Sequence, residues 1–349
     1  METIFVKGRI QGSRIFAGES IENLSAYLPA SGVFIITDSN LNRLYCKSFP
    51  DCPVFVTEPG EDRKTTETVL SACRWLLDKG AGRDSFILGI GGGIVCDIAG
   101  FTASVFMRGV RFGFVATSLL AQVDASVGGK NGVNLDGYKN IIGCFNQPDF
   151  VICDTEMLES LPAGEMKNGL AEAVKHTLID NRNMFRTIWE HADEITGLKS
   201  TVVLSRMISH SVNVKADIVN RDEVELGERR KLNLGHTWGH ALEKITGMSH
   251  GRAVSIGLVF AARLSEYKGL LKPEARTRIT ELLSRLGLPT SDNTDPMQVL
   301  EALLKDKKRE SDHIHFVLIK GIGEVVVEAL PIKWLRAFVE KYRHEIPKF

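Results

Sequence analysis

The first half of the chain alternates between two hydrophobic periods. Val33-Phe34-Ile35-Ile36-Thr37-Asp38 is a short β-branched run closed by a polar residue, and Pro53-Val54-Phe55-Val56-Thr57 has the same form, so each predicts a strand. From Thr65 to Lys79 the period changes. Val69, Cys73, Leu76 and Leu77 follow the three-and-four spacing of an amphipathic helix. Ser85-Phe86-Ile87-Leu88-Gly89-Ile90 predicts a buried strand that runs into Gly91-Gly92-Gly93, and Phe112 to Ala116 and Phe150 to Cys153 predict two more. Strands and helices in alternation predict a parallel sheet with helices on its faces.

The second half follows a different pattern. From about Glu165 to Lys305 it is helical almost throughout, as in Ala253 to Tyr267 and Pro273 to Leu286, with Gly287 and Pro289 as a stop. His315 to Ile319 and Glu324 to Glu328 flank Gly321-Ile322-Gly323 and predict a hairpin. No internal repeat or low-complexity linker is visible. The expected fold class is α/β: an α/β domain over residues 1–157, then a mainly helical domain over 158–349, with a ligand cleft between them.

Composition narrows the partners. Of 349 residues, 44% are apolar and 25% charged, as in globular proteins. Lys plus Arg balance Asp plus Glu at 43 each, so no global field draws the chain to nucleic acid or to a membrane. An anionic ligand would have to be met by cations gathered locally. The N-terminus lacks a signal-peptide pattern and no apolar stretch is long enough to span a bilayer, so a cytoplasmic location is expected. The cysteines Cys46, Cys52, Cys73, Cys96, Cys144 and Cys153 form no C-x-x-C pair and read as buried free thiols in a reducing compartment.

Three features carry candidate chemistry, and each has a bland alternative. Gly89-Ile90-Gly91-Gly92-Gly93 joins a strand to a helix beginning near Ile94. It suits close approach of a pyrophosphate to backbone N–H groups, or simply a tight strand-to-helix turn. The strict G-x-G-x-x-G pattern fails at Ile94. His236-Thr237-Trp238-Gly239-His240 puts two imidazoles on one helix face, as metal ligands or as a satisfied core pair, and His250 adds a third. Glu172 and Lys175 have helical i, i+3 spacing, which an ordinary surface ion pair explains equally well. Arg108-Gly109, Gly129-Lys130 and Lys139-Asn140 set cations beside glycine or Asn, and Lys215 and Arg229 are further candidates; at each an anion can come close or a solvated charge can sit.

Taken together, these segments resemble the 3-dehydroquinate synthase family of the sugar-phosphate cyclase superfamily. The matching stretches, in order, are Gly91 to Phe101, Met107-Arg108-Gly109, Ser118 to Lys130, Asn168 to His176, Leu232 to Ala241, His250-Gly251 and Lys305 to Lys308. The resemblance implies a Rossmann-like NAD-binding domain followed by a helical metal- and substrate-binding domain. It implies a Zn2+ or Co2+ ion on Glu172, His236 and His250. It implies NAD against Asp38, Asn40, Glu61, Lys64, Gly91, Gly92, Gly93, Asp97, Thr117, Ser118, Lys139 and Asn168. Substrate would meet Arg108, Asp124, Lys130, Asn140, Lys215, Arg229, Asn233, His236, His240 and Lys307, with Lys308 the alternative lysine. Glu225, His240, Lys130, Lys175, Arg229 and Asn233 would form the catalytic set, Glu225 and His240 moving protons.

The implied enzyme is a lyase of the shikimate pathway to chorismate and the aromatic amino acids, a homodimer with a small sugar-acid phosphate as substrate. It would turn 3-deoxy-D-arabino-heptulosonate 7-phosphate into 3-dehydroquinate and phosphate. The steps are transient oxidation by NAD, phosphate elimination, reduction, ring opening and aldol closure, with the metal as Lewis acid. Rival readings are a sister cyclase acting on a carboxylate-free sugar phosphate, a metal-dependent polyol dehydrogenase, and a catalytically dead relative. The cations Arg229 and Lys307 with Asn233 favour the carboxylate-bearing substrate. The sequence departs from the family pattern at Arg252, where glutamate commonly follows His-Gly, and at Ser160, Gly164 and Asp312. Arg252 puts in doubt the surroundings of His250.

Overall fold

The computed structural model describes residues 1–9, 11–198, 200–307 and 312–345. The chain divides by its contacts into two compact units, one of Met1–Met166 with Ile208–Val224, the other of Lys167–Met207 with Glu225–Phe349.

The first unit is built on a seven-stranded sheet. Its strands are β1 (Glu2–Val6), β2 (Ser13–Ala17), β3 (Val33–Asp38), β4 (Val54–Thr57), β5 (Phe86–Gly91), β6 (Arg111–Ala116) and, further on, β9 (Phe150–Cys153). The spatial order is β1-β2-β9-β6-β5-β3-β4. β1 and β2 are antiparallel and every other pairing is parallel. Every residue of β5 and of β9 is buried, as strands covered on both faces require. Phe86, Leu88 and Ile90 join Phe16, Ile35, Val115, Phe150 and Ile152 in one core, and Phe86 stacks on Phe150 at 5.8 Å. Each such side chain contributes about 1.5–3 kcal/mol on burial.

Helices α1 (Ser39–Tyr45), α2 (Thr66–Asp78) and α3 (Gly93–Val105) accompany this sheet. α3 lies close on β5 because residue 89 is glycine: a Cβ there would stand 2.8 Å from the Ala99 Cβ. β7 (Lys130–Leu135) and β8 (Tyr138–Phe145) form a separate antiparallel hairpin. Its turn has positive φ at both Asp136 (48°) and Gly137 (80°), the backbone of a tight primed turn. The sequence reading anticipated the parallel strands but neither this hairpin nor β1 and β2.

The second unit is mainly helical, as expected. After α4 (Ala163–Asp180) come α5 (Arg182–Glu190), α6 (Ala192–Thr196) and α7 (Thr201–Arg221), whose last residues belong to the first unit. Then follow α8 (His236–Thr246), α9 (His250–Tyr267), α10 (Pro273–Arg285) and α11 (Pro296–Lys307). The expected hairpin is present as β10 (His313–Gly321) and β11 (Glu324–Pro331), before α12 (Ile332–Glu345). Trp238 of α8 stacks on Phe260 of α9 at 3.7 Å, inside a core that also holds Phe316, Leu318, Phe338 and Tyr342. α8 and α9 approach to backbone contact: a Cβ on Gly257 would lie 2.0 Å from the Gly235 carbonyl oxygen. That contact fixes the start of α8, and so His236, against α9.

No helix among the described residues is long and apolar enough to cross a membrane. All six cysteines are free; Cys96 and Cys153 are buried, Cys46 is exposed, and Cys52, Cys73 and Cys144 are half-buried. The expectation of buried thiols therefore holds for two of them, since the others stand on elements that face solvent on one side.

Candidate active site

α4 carries Asn168, Glu172 and Lys175 on successive turns, all buried. Lys175 Nζ lies 2.5 Å from Glu172 Oε2, and both side chains are within 1% of complete burial, which removes the surface-pair reading. The other carboxylate oxygen, Oε1, meets two imidazoles, His250 Nε2 at 3.1 Å and His236 Nε2 at 3.3 Å. One ligand atom from each of the three residues lies within 4.8 Å of the others. Metal bonds of about 2.0–2.2 Å separate tetrahedral ligand atoms by roughly 3.3–3.6 Å, so this donor set fits one divalent ion with little movement. Two nitrogens and a carboxylate suit zinc or cobalt.

Electrostatics agree with a cation site. Burial alone would push the Glu172 carboxyl up, but Lys175 and His236 outweigh it and hold it well below the usual carboxylate range. Burial also opposes a proton on His250, yet hydrogen bonding to Glu172 and Glu243 lifts that ring to about 10. His240 moves the other way: loss of surrounding water, then the charges of His236 and His250, push it down. His240 and His236 are neighbours on α8 with ring centroids 5.1 Å apart, as the H-x-x-x-H spacing predicts.

Both histidines that face Glu172 are oriented by specific partners. His236 Nδ1 lies 3.1 Å from the Leu234 carbonyl oxygen, and Nε2 faces Glu172 Oε1. At the start of α9 the backbone N–H of Gly251 donates to Asn168 Oδ1 at 3.0 Å. Residue 251 must be glycine, because a Cβ there would stand 2.3 Å from the Asn168 Cα. The doubt raised by Arg252 is answered differently. Arg252 is exposed, and the carboxylate at His250 Nδ1 is that of Glu243, 3.5 Å away. Sequence reasoning missed Glu243, although it stands three residues after His240 on the face that carries both histidines.

The helical run expected from about Glu165 to Lys305 is interrupted before α8. Glu228–Asn233 is a 3-10 turn, and Gly235 then adopts left-handed backbone (φ 78°) before α8 begins. At three residues per turn, Asn233 sits about a third of a turn away from Arg229, and His236 belongs to another helix. Arg229 is 2% exposed, so it is not on a solvated face. Asn233 Nδ2 donates to Glu225 Oε1 at 2.7 Å. Glu225 has φ 65°, and Arg108 and Asn140 have φ 70° and 53°. Non-glycine residues pay about 1–3 kcal/mol for such backbone, which collects at functional positions. The side chain of Lys307 and the whole of Lys308 lie outside the described residues.

In the first unit the expected nucleotide contacts fall at one edge of the sheet. β3 ends at Asp38, β5 at Gly91 and β6 at Ala116, while Glu61 and Lys64 follow β4, so the strands β4-β3-β5-β6 all present their carboxyl ends to these residues. The chain passes from β3 to β4 on one side and returns to β5 on the other. That reversal, between Asp38 and Gly91, is where open α/β sheets bind ligands. α3 starts there with no side-chain cap on its N-terminus, and a Cβ on Gly92 would press to 3.2 Å from Ser118 Oγ. A backbone open to an anion at a helix N-terminus fits a pyrophosphate.

Other expected residues pair among themselves. Asp38 Oδ1 accepts the backbone N–H of Leu41 at 3.0 Å and so caps α1, with Asn40 exposed on its first turn. Lys64 is buried, forms an ion pair with Asp97 and donates to Asn140 Oδ1 at 2.6 Å, while its carbonyl accepts the Asn134 N–H. Glu61 Oε1 accepts from Asn134 as well. One lysine thus ties the α3 carboxylate to the β7–β8 hairpin. Lys215 of α7 is paired with Asp124. Thr117 and Ser118 are buried behind β6, and Arg108, Lys130 and Lys139 are exposed. Ser160 accepts the Tyr45 hydroxyl at 2.7 Å, Gly164 has open space around it, and Asp312 is exposed.

The 3-dehydroquinate synthase N-terminal family matches residues 54–168, and the 3-dehydroquinate synthase C-terminal family matches residues 169–309. The 3-dehydroquinate synthase of Acidithiobacillus ferrooxidans is 41% identical over 325 residues, covering 88% of this chain and 89% of that protein. That of Pyrococcus abyssi is 43% identical over 283 residues, covering 80% and 82%. Among solved structures, 2-deoxy-scyllo-inosose synthase complexed with carbaglucose-6-phosphate, NAD+ and Co2+ superimposes with a TM-score of 0.86 at 24% identity, over 97% of this chain and 100% of that one, and so shares the fold. By sequence over most of its length, the chain belongs to the 3-dehydroquinate synthase family.

Proposed function

We propose that the chain converts 3-deoxy-D-arabino-heptulosonate 7-phosphate to 3-dehydroquinate and phosphate, as a lyase that uses NAD and a divalent metal. The convergence of Glu172, His236 and His250 on one point, in a chain 41–43% identical to synthases of that name, carries this reading. Identity to the solved sister cyclase is 24%, which lends the carboxylate-free substrates less support. The expected boundary at 157/158 gives way to units of Met1–Met166 with Ile208–Val224, to which most of the NAD residues belong, and Lys167–Met207 with Glu225–Phe349, to which the metal residues belong. Glu172, His236 and His250 would hold zinc or cobalt, and the residues at the ends of β3 to β6 would hold NAD.

When bound, the metal supplies a Lewis acid for a hydroxyl oxygen and NAD a reversible hydride acceptor. The chain's own residues bind, orient and move protons. Lys175 keeps the buried Glu172 carboxylate charged. His240, beside His236 on the same face of α8, would be the first proton carrier. The Glu225 carboxylate is aimed by Asn233 and serves as the second proton carrier. Arg229 offers a buried guanidinium fork to the substrate carboxylate. Arg108 and Lys130, exposed beside glycines, offer charge to the phosphate, with Asn140 as a further contact. Lys215 and Asp124 act as a pair on the substrate hydroxyls.

The test is phosphate release from 3-deoxy-D-arabino-heptulosonate 7-phosphate by protein supplied with NAD and zinc, with each withheld in turn. Release that needs both supports the assignment. No release, or steady NADH formation from glycerol, would replace it with a dehydrogenase or a non-catalytic role.

A further inference from the structure

We infer that Glu243 is a positioning residue for the metal ligand His250: its carboxylate accepts the proton on Nδ1, sets the ring, and leaves Nε2 to the ion. The inference rests on the metal centre proposed above. On α8, His236, His240 and Glu243 stand at i, i+4 and i+7, which is one face of the helix. Glu243 Oε2 lies 3.5 Å from His250 Nδ1, while Glu172 Oε1 lies 3.1 Å from His250 Nε2. The two nitrogens of one imidazole therefore meet two carboxylates from two helices, α8 and α4. Glu243 is 12% exposed in this pair, so water does little to weaken it.

A neutral imidazole carries one N–H. If Nε2 faces the metal, the proton must be on Nδ1, and Glu243 is the acceptor that it meets. His236 is held in the same tautomer by the Leu234 carbonyl. The two ligands thus differ in the charge of their partner. A carboxylate behind His250 raises the basicity of that ring and adds a second negative charge near the cation; a carbonyl behind His236 does neither.

One other arrangement uses the same atoms. Ligand atoms of His240, Glu243 and His250 also lie within 4.8 Å of one another, which would suit a second ion. Two ions at once would require His250 to bridge them through both ring nitrogens, whereas the positioning role requires one ion.

Metal-free full-length protein, stripped by chelator, should be titrated with Zn2+ against a competing chelator and with Co2+ followed by its visible spectrum. Wild type should bind one ion per chain. Glu243→Leu should weaken zinc roughly 10- to 100-fold and change the cobalt spectrum. Glu243→Gln keeps an oxygen that accepts the Nδ1 proton, so it should lose less than Glu243→Leu. Circular dichroism of the metal-free variants identifies which of them fold, and either folded variant decides the matter. Affinity and spectrum unchanged from wild type, or two ions in wild type with one lost in Glu243→Leu, would overturn the inference. Glu172→Ala separates the two readings. If it still binds zinc tightly, the metal centre itself is wrongly assigned; if it loses zinc while the Glu243 variants do not, the error lies with Glu243 alone.

Discussion

Asn168 on α4 accepts the backbone N–H of Gly251 through its Oδ1, one residue after His250 and one turn before Glu172, two of the proposed metal ligands. Family resemblance gives Asn168 to NAD, yet its carbonyl oxygen is used beside His250. Asn168→Ala leaves a buried N–H without its acceptor, at about 1–3 kcal/mol of stability. It should also loosen His250, so zinc affinity falls more than NAD affinity. Thermal unfolding and separate titrations of the two ligands give the answer. A loss confined to NAD would return Asn168 to the cofactor.

His250 ties metal binding to pH. Its ring is lifted to about 10 by Glu172 and Glu243 against the cost of burial, so without metal it is an imidazolium at neutral pH. A metal must displace that proton. Because the value is raised, the proton stays bound until the pH approaches 10, and zinc competes with it across the whole neutral range. Zinc affinity should therefore rise with pH, on the order of tenfold per unit between pH 6 and 8 where one proton is released. Calorimetric titration in buffers of different ionisation enthalpy counts the protons. A count of zero would mean that His250 is not a ligand.

Asp38 has two roles that one pair of substitutions can separate. Its carboxylate caps α1 and, at the end of β3, stands where a ribose would be read. Asp38→Asn keeps a capping oxygen and removes the charge that repels a 2′-phosphate. It should narrow the preference for NAD over NADP with little change in stability. Asp38→Ala should also cost roughly 0.5–2 kcal/mol from the lost cap. Equal preference for the two cofactors in wild type would mean that Asp38 does not face the ribose.

What was legible in the sequence follows from range. The parallel strands were visible because β5 and β9 are apolar at every position, and α2 because its stripe is local. The β7–β8 hairpin was missed although Asp136-Gly137 is a strong turn signal, because its strands are polar and exposed and carry no apolar alternation. Resemblance, and not any local pattern, put Glu172 with His236 and His250, which the fold brings together. Partners set by three-dimensional approach stayed hidden: Glu243 against His250, Lys64 between Asp97 and Asn140, and the left-handed Gly235 that separates Asn233 from His236. The helical pattern gave no sign of the break there, which a 3-10 turn and one positive φ make.

The proposed reading gives Arg229 the choice between acidic substrates. It is 2% exposed on the 3-10 turn that ends at Asn233, so its charge is held in the interior. Its fork would suit a substrate carboxylate bidentately, and the Glu225–Asn233 pair close by in sequence orders the same segment. Arg229→Leu should cost the carboxylate-bearing substrate about 2–5 kcal/mol in kcat/KM, as when one partner of a buried charge pair is lost. An analogue without the carboxylate should be nearly indifferent to the change. The melting temperature of the variant checks that it remains folded. Comparing kcat/KM for both compounds on both proteins isolates the interaction. Equal losses for the two compounds would mean that Arg229 holds the fold and does not read the carboxylate, and a carboxylate-free sugar phosphate would then be the better substrate to test.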